Sequence, residues 1–264
     1  MEILVMLALR FRATNWIFLA LLLLACWGLL GPLLPTSGLR AEEPAAESES
    51  LEIPPAKSHY MGREIAVTMH YEGAPWLMRE SRQREEDCDN LLKALDLKPG
   101  QVVCDMGCGN GFYTLPMAKA VGEKGRVLAV DIQPEMLRML AARAGEAELK
   151  NIELLEGTQV DPKLPAASCD LILLVDVYHE FSHPRQMLAA MRKALKPGGR
   201  IALAEFRLED RNVPIKLLHK MSKRQILKEF PANGLKLASE FDELPWQHLM
   251  FFERDETGKW ADKP

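Results

Sequence analysis

Val102-Val103-Cys104-Asp105-Met106-Gly107-Cys108-Gly109-Asn110-Gly111 is an apolar run that ends in a carboxylate and then carries a glycine at every second position. The apolar part reads as a buried strand, and the glycines as the turn that leads from it into a helix. Glycine permits the tight turn and lets backbone N–H groups approach a ligand with no Cβ in the way. Gly107, Cys108, Gly109 and Gly111 are therefore candidate ligand contacts. Asp105 suits hydrogen bonds from a cationic group such as an ammonium. It opposes the anionic pyrophosphate of a dinucleotide, and the spacing is G-x-G-x-G rather than the dinucleotide G-x-G-x-x-G. A nicotinamide-dependent oxidoreductase is disfavoured on both counts.

Twenty residues after Gly111, a second strand, RVLAVDIQ (126–133), ends in Asp131. A carboxylate at that place reaches the two hydroxyls of a ribose, and Ile132 beside it packs on an adenine face. Outward from this pair, strands and helices alternate. NIELLEG (151–157), CDLILLVDVY (169–178) and RIALAEFR (200–207) read as strands; TLPMAKAVG (114–122), PEMLRMLAARAGEA (134–147) and PRQMLAAMRKALKPGG (184–199) read as helices. The pattern predicts an α/β fold with a mostly parallel sheet covered by helices on both faces. After a helix in SKRQILKEFPANG (222–234), LKLASEF and HLMFFER are joined by DELPWQ, which predicts an antiparallel hairpin at the C-terminal edge. Upstream, Leu91, Leu92 and Leu95 at helical spacing predict a helix within residues 79–97 that stops at Lys98-Pro99-Gly100.

Residues 98–206 resemble the class I S-adenosylmethionine-dependent methyltransferases, in particular the small-molecule group that includes ubiquinone-pathway C-methyltransferases. DMGCGNG (105–111) is similar to their first motif and VDI (130–132) to their second. EGTQVDPKLP (156–165) resembles the segment after the third strand, and LKPGGRIALAE (195–205) the approach to the fifth. The resemblance implies a Rossmann-like seven-stranded sheet with an antiparallel last strand, S-adenosyl-L-methionine as cofactor and a small-molecule acceptor. It also implies a lid before the first strand, where Tyr71, Trp76, Arg79 and Arg82 stand. The sequence departs from the family at Thr158 and Gln159, which follow Gly157 where an acidic residue often meets the adenine amino group. A backbone or Gln159 contact is the expected substitute.

Ligands of open α/β sheets sit beyond the carboxyl ends of the strands. Asp176-Val177-Tyr178-His179-Glu180-Phe181 leaves the fourth strand at that edge. Asp176 joins the expected cofactor contacts, His179 is a candidate general base, and Glu180 is placed to orient it or bind acceptor. Glu205, ending the next strand, is a weaker candidate, and His219 and His248 read as surface or core residues. His179-Glu180-Phe181-Ser182-His183 matches the zinc pattern H-E-x-x-H. That pattern needs a helix, whereas here it starts at a strand end and Pro184 disfavours helical geometry at His183. No metal is expected. A sensor or scaffold that binds the cofactor without turnover fits the same loop, although His179 and Glu180 favour chemistry.

The domain reading is an N-terminal signal peptide or membrane anchor (1–41), an acidic flexible linker (42–58), a helical lid region (59–97), the methyltransferase domain (98–254) and a polar tail (255–264). WIFLALLLLACWGLLGPLL (16–34) has no charged residue, and it follows Arg10 and Arg12 and precedes Glu42, Glu43, Glu47 and Glu49. This predicts a membrane-anchored or exported chain with its N-terminus on the cytoplasmic side. Five cysteines without a regular spacing suggest no disulfide framework, which pulls against export, as does a cofactor made in the cytoplasm. A net charge of −4 leaves no basic footprint for nucleic acid.

Overall fold

The structure is a computed structural model and describes residues 53–258. The expected signal or anchor, most of the linker and the end of the tail lie outside the described residues. Among the described residues no helix is long and apolar enough to cross a membrane.

A small ribbon of β1 (His59–Tyr60) and β2 (Arg63–Glu64) comes first, followed by three short helices, α1 (Ala74–Leu77), α2 (Arg82–Glu86) and α3 (Cys88–Ala94). Then the alternation begins: β3 (Val102–Met106), α4 (Thr114–Val121), β4 (Arg126–Asp131), α5 (Pro134–Glu146), β5 (Ile152–Glu156), β6 (Cys169–Val175), α6 (Pro184–Ala194) and β7 (Leu195–Phe206). α7 (Lys223–Ala232), β8 (Leu235–Phe241) and β9 (Gln247–Arg254) complete it. The seven strands lie in the order β5-β4-β3-β6-β7-β9-β8. The first five are parallel, and β9 runs antiparallel to both β7 and β8. The expected mostly parallel sheet with its antiparallel hairpin is thus the fold observed.

Alternate residues of the central strands feed two apolar layers. Cys104, Met106, Leu128, Val130, Ile172 and Leu174 pack with Met187, Leu188 and Met191 of α6 and Ile226 and Phe230 of α7. Val103, Val127, Leu171 and Leu173 pack on the other face with Leu91, Leu95, Met117 and Val121. Burial on both faces explains why these strands are continuous apolar runs. The chain starts in the middle of the sheet at β3, goes outward through β4 and β5, and returns to β6. Its switch point therefore opens a crevice at the carboxyl ends of β3, β4 and β6.

Two sequence expectations are corrected. The helix within 79–97 breaks at Asp87, whose φ is +51°. At 100° per residue, Arg82 and Leu91 would sit on opposite sides of a straight helix. Both are buried, and the break lets Leu91 reach the sheet while Arg82 turns to the crevice. Aspartate is among the residues that tolerate this left-handed conformation. The helix read through residue 199 ends at Ala194 instead. Leu195 already pairs with Cys169, and residues 196–199 bulge before Arg200 pairs with Leu171, since Pro197 cannot continue a helix.

Candidate functional site

The turn after β3 is shaped by what lies around its glycines. The N–H groups of Gly107 and Cys108 both donate to the Val130 carbonyl, at 2.8 and 2.9 Å, which folds the turn toward β4. Gly107 has φ +70°, and a Cβ on it would stand 2.3 Å from Cγ2 of Val177. A Cβ on Gly111 would stand 2.2 Å from Cδ1 of Leu140, so this glycine serves the contact of α5 with the loop. Asp131 accepts from Gly109 N–H on one oxygen and from Gln133 N–H on the other, both at 2.9 Å. Each carboxylate oxygen keeps a second lone pair.

These groups border one cavity of about 540 Å³, within the usual range for small-molecule sites. Gly107, Gly109, Asp131, Ile132, Thr158, Gln159 and Asp176 line it, and so do His179 and Glu180. Ile132 is 37% exposed, which suits an apolar platform for a ring. Thr158 spends its hydroxyl oxygen on the turn, accepting from the N–H groups of Val160 and Asp161, so Gln159 is the freer of the two. Asp105, Cys108 and Gly111 are not on the cavity wall. Asp105 is 4% exposed and accepts a 2.5 Å hydrogen bond from the Thr114 hydroxyl, which ties β3 to α4. The expected contact from Asp105 to an ammonium would compete with this Thr114 bond.

Other charged groups on the cavity come from the helices before β3 and from the residue that follows β6. Arg82 lines the cavity, donates to Glu86 at 2.8 Å and to the Leu77 carbonyl at 2.9 Å, and lies 4.1 Å over the Phe112 ring. Arg79 donates to Glu85 and Glu86 and stacks 3.8 Å over Trp76. Asp176, at φ +50°, accepts from Gln247 on Oδ2, while its buried Oδ1 has no partner. A carboxylate oxygen without a partner beside a buried guanidinium fits the ammonium and carboxylate of an amino acid. Gln133, which sequence reading passed over, joins the segment before the first helix to the residues after β4. Its amide accepts from Tyr71 N–H at 2.8 Å and donates to the Met69 carbonyl at 2.9 Å.

His179, Glu180 and His219 line the cavity as well. His179 is 2% exposed and lies in the turn Tyr178–Glu180. Its backbone N–H donates to Glu205, its Nδ1 is 2.7 Å from the same carboxylate, and its Nε2 is 3.0 Å from Nδ1 of His219. Both oxygens of Glu180 accept from Met69 N–H, at 3.2 and 3.3 Å. His219 is therefore a wall residue of the cavity, contrary to the surface or core role read from the sequence. His248 lies apart from the cavity, bonded to Glu209 at 2.9 Å. His183 bonds Ser182 and the Pro54 carbonyl, so the H-E-x-x-H arrangement is not formed.

Burial lowers the His179 pKa, but the Glu205 carboxylate outweighs it and the net shift is upward. His219 is lowered, by burial and then by the His179 charge. Burial raises Asp105 to about 6, with Asp131 adding to it and Thr114 opposing. A carboxyl whose folded pKa exceeds its unfolded value near 4 holds its proton better when folded. It costs nothing below about pH 4, and its cost grows with pH and levels off above the folded pKa. Between about pH 4 and 7, wild type should therefore lose stability relative to Asp105→Asn by on the order of 3 kcal/mol. Urea unfolding of both proteins across that range checks it, and a pH-independent difference would refute this placement of the charge.

Residues 97–251 match the family described as a methyltransferase domain. Over 113 residues the chain is 35% identical to a nocamycin O-methyltransferase of Saccharothrix syringae, covering 43% of this chain and 40% of that one. Identity to a demethylmenaquinone methyltransferase of Bacillus cereus is 28% over 114 residues, covering 43% and 48%. The chain thus spans less than half the length of these relatives. The crystal structure of an S-adenosylmethionine-dependent methyltransferase from Aquifex aeolicus matches with a TM-score of 0.66 at 26% identity, over 70% of this chain and 98% of that one.

Proposed function

We propose, from the premise that the chain belongs to the methyltransferase-domain family, that it transfers a methyl group from S-adenosylmethionine to a small, partly apolar acceptor. The observation that carries this reading is one cavity lined both by Asp131 and Ile132 and by His179, Glu180 and His219. Bound S-adenosylmethionine supplies a methyl on a sulfonium, whose thioether leaves without acid catalysis. Asp131 holds the ribose hydroxyls and Ile132 the adenine. Arg82 and Asp176 meet the carboxylate and ammonium of the methionine end. The lid residues Met69, Trp76 and Leu77 keep water from the reacting centre.

His179, held by Glu205, and Glu180 face the acceptor, where they orient it and take its proton when the accepting atom is a hydroxyl. Phe181, Met187, Phe206 and Ile215 give this end an apolar lining. Together with the demethylmenaquinone methyltransferase similarity, the lining favours a quinone-like or aromatic acceptor over a wholly polar one. Binding without turnover has less support, because it gives no task to a buried Glu205–His179 pair beside the donor seat.

Full-length protein incubated with methyl-labelled S-adenosylmethionine should label hydroxylated quinols or phenols extractable into organic solvent. His179→Gln, whose amide can still pair with Glu205, should lower kcat by about 10²–10⁴-fold if proton removal limits the rate. A protein that binds the donor but labels no acceptor in soluble or membrane extracts would return the assignment to a sensor.

A further inference from the structure

The two imidazoles and the carboxylate at the acceptor end are arranged around a common point. His179 Nε2 is 3.0 Å from His219 Nδ1 and 3.8 Å from Glu180 Oε1, and His219 Nδ1 is 4.0 Å from that same oxygen. A triangle with these sides has its centre about 2.1 Å from each corner, the length of an ordinary zinc–nitrogen or zinc–oxygen bond. We infer that His179, Glu180 and His219 form a site for one divalent first-row metal ion of the zinc class, open toward the acceptor cavity. The inference deepens the reading of this cavity as the acceptor site and rests on it; with the ion bound, His179 and Glu180 serve as its ligands in place of the proton-accepting role given them above.

Three further features support the assignment. Two histidines and one carboxylate leave coordination positions free, as catalytic zinc and iron sites do, and here those positions face the cavity. The Nδ1 of His179 sits 2.7 Å from Glu205, whose carboxylate has no exposure. Such a carboxylate fixes the tautomer and ring orientation of a metal-ligating histidine and leaves Nε2 free to bind. Charge also fits. Glu180 and Glu205 stand against the two imidazoles, and a divalent cation compensates carboxylates that the imidazoles alone do not.

The zinc-like H-E-x-x-H string is thus half used. His179 and Glu180 contribute, His183 is turned away, and the second imidazole comes from His219, forty residues further on. The ligand class implied for the open positions is an acceptor with a hydroxyl or carbonyl oxygen. Held by the ion, that oxygen would be fixed in the cavity that also holds the donor.

The test uses full-length protein stripped with a chelator, dialysed, and titrated with Co²⁺ while visible absorption is recorded, followed by displacement with Zn²⁺. One equivalent of Co²⁺ is expected, with d–d bands that Zn²⁺ abolishes. His219→Ala and Glu180→Gln should each weaken binding by more than about 100-fold, as loss of a ligand exceeds the 10–100-fold typical of outer-shell changes. His179→Ala is avoided because it strands buried Glu205. Calorimetric titration with S-adenosylhomocysteine on the same samples reports folding and the donor seat. Normal S-adenosylhomocysteine binding without Co²⁺ uptake, or Co²⁺ uptake undiminished in both variants, would overturn the metal site and leave the proposed function standing. Co²⁺ uptake lost in the variants, in a protein that fails to bind S-adenosylhomocysteine, would uphold the site and remove the donor reading.

Discussion

Asp131→Ala should weaken S-adenosylhomocysteine binding by about 10²–10⁴-fold, the largest single effect expected in the donor seat. Two hydrogen bonds from ribose hydroxyls to an ionised carboxylate are worth about 1.5–3 kcal/mol each. The carboxylate also holds the N–H groups of Gly109 and Gln133. Its loss frees the turn at the point where the ligand's backbone contacts begin. Asp131→Asn keeps one oxygen acceptor and should fall between wild type and Asp131→Ala. Calorimetry gives the three affinities, and a loss below tenfold in Asp131→Ala would place the ribose elsewhere.

The second large effect is on stability. Gly107→Ala introduces a Cβ that would stand 2.3 Å from Val177 Cγ2, at a φ of +70°. Overpacking costs about 1–3 kcal/mol, and a left-handed non-glycine residue about 1 kcal/mol or more. A loss of about 2–4 kcal/mol is therefore expected, equivalent to a Tm lower by roughly 5–15 °C for a domain of this size. Gly100 separates the two contributions. Its φ is +88°, and a Cβ there meets nothing within 4 Å, so Gly100→Ala reads the backbone cost alone. Val177→Ala placed with Gly107→Ala should recover the packing part and not the backbone part. If Gly107→Ala costs no more than Gly100→Ala, Val177 moves aside freely and the turn is looser than drawn here.

Much of this was legible in the sequence, because the decisive signals are local. The apolar run into Asp105, the glycines at every second position and Asp131 twenty residues on are properties of contiguous chain. They led to the alternation of strands and helices and to the residues expected around the donor. The terminal hairpin was readable for the same reason. What escaped depends on non-local geometry. Asp87 breaks a helix because residues on both sides of it are drawn to different places, which no propensity at that position announces. Asp105 stands off the cavity wall, its carboxylate bonded to Thr114 of α4. His219 stands in the loop after β7 with no periodicity around it. It reaches His179 because Met221 N–H bonds the Phe206 carbonyl and brings the loop back to the strand end. The one available hint was its place after a strand, on the ligand-bearing edge of the sheet.

Gln133 has a consequence for how far this sequence can drift. One amide answers a main-chain donor at Tyr71 and a main-chain acceptor at Met69, so its side chain must offer both groups at one reach. Glutamate keeps the oxygen and loses the donor, lysine does the reverse, and asparagine is a methylene short. Substitution at 133 is thus nearly closed while the chain keeps this lid, whereas an exposed residue off the cavity such as Met78 remains open to exchange. In descendants of this sequence, a change at 133 alongside an intact Asp131 would mark a protein that still seats its nucleoside but has let go of its cover.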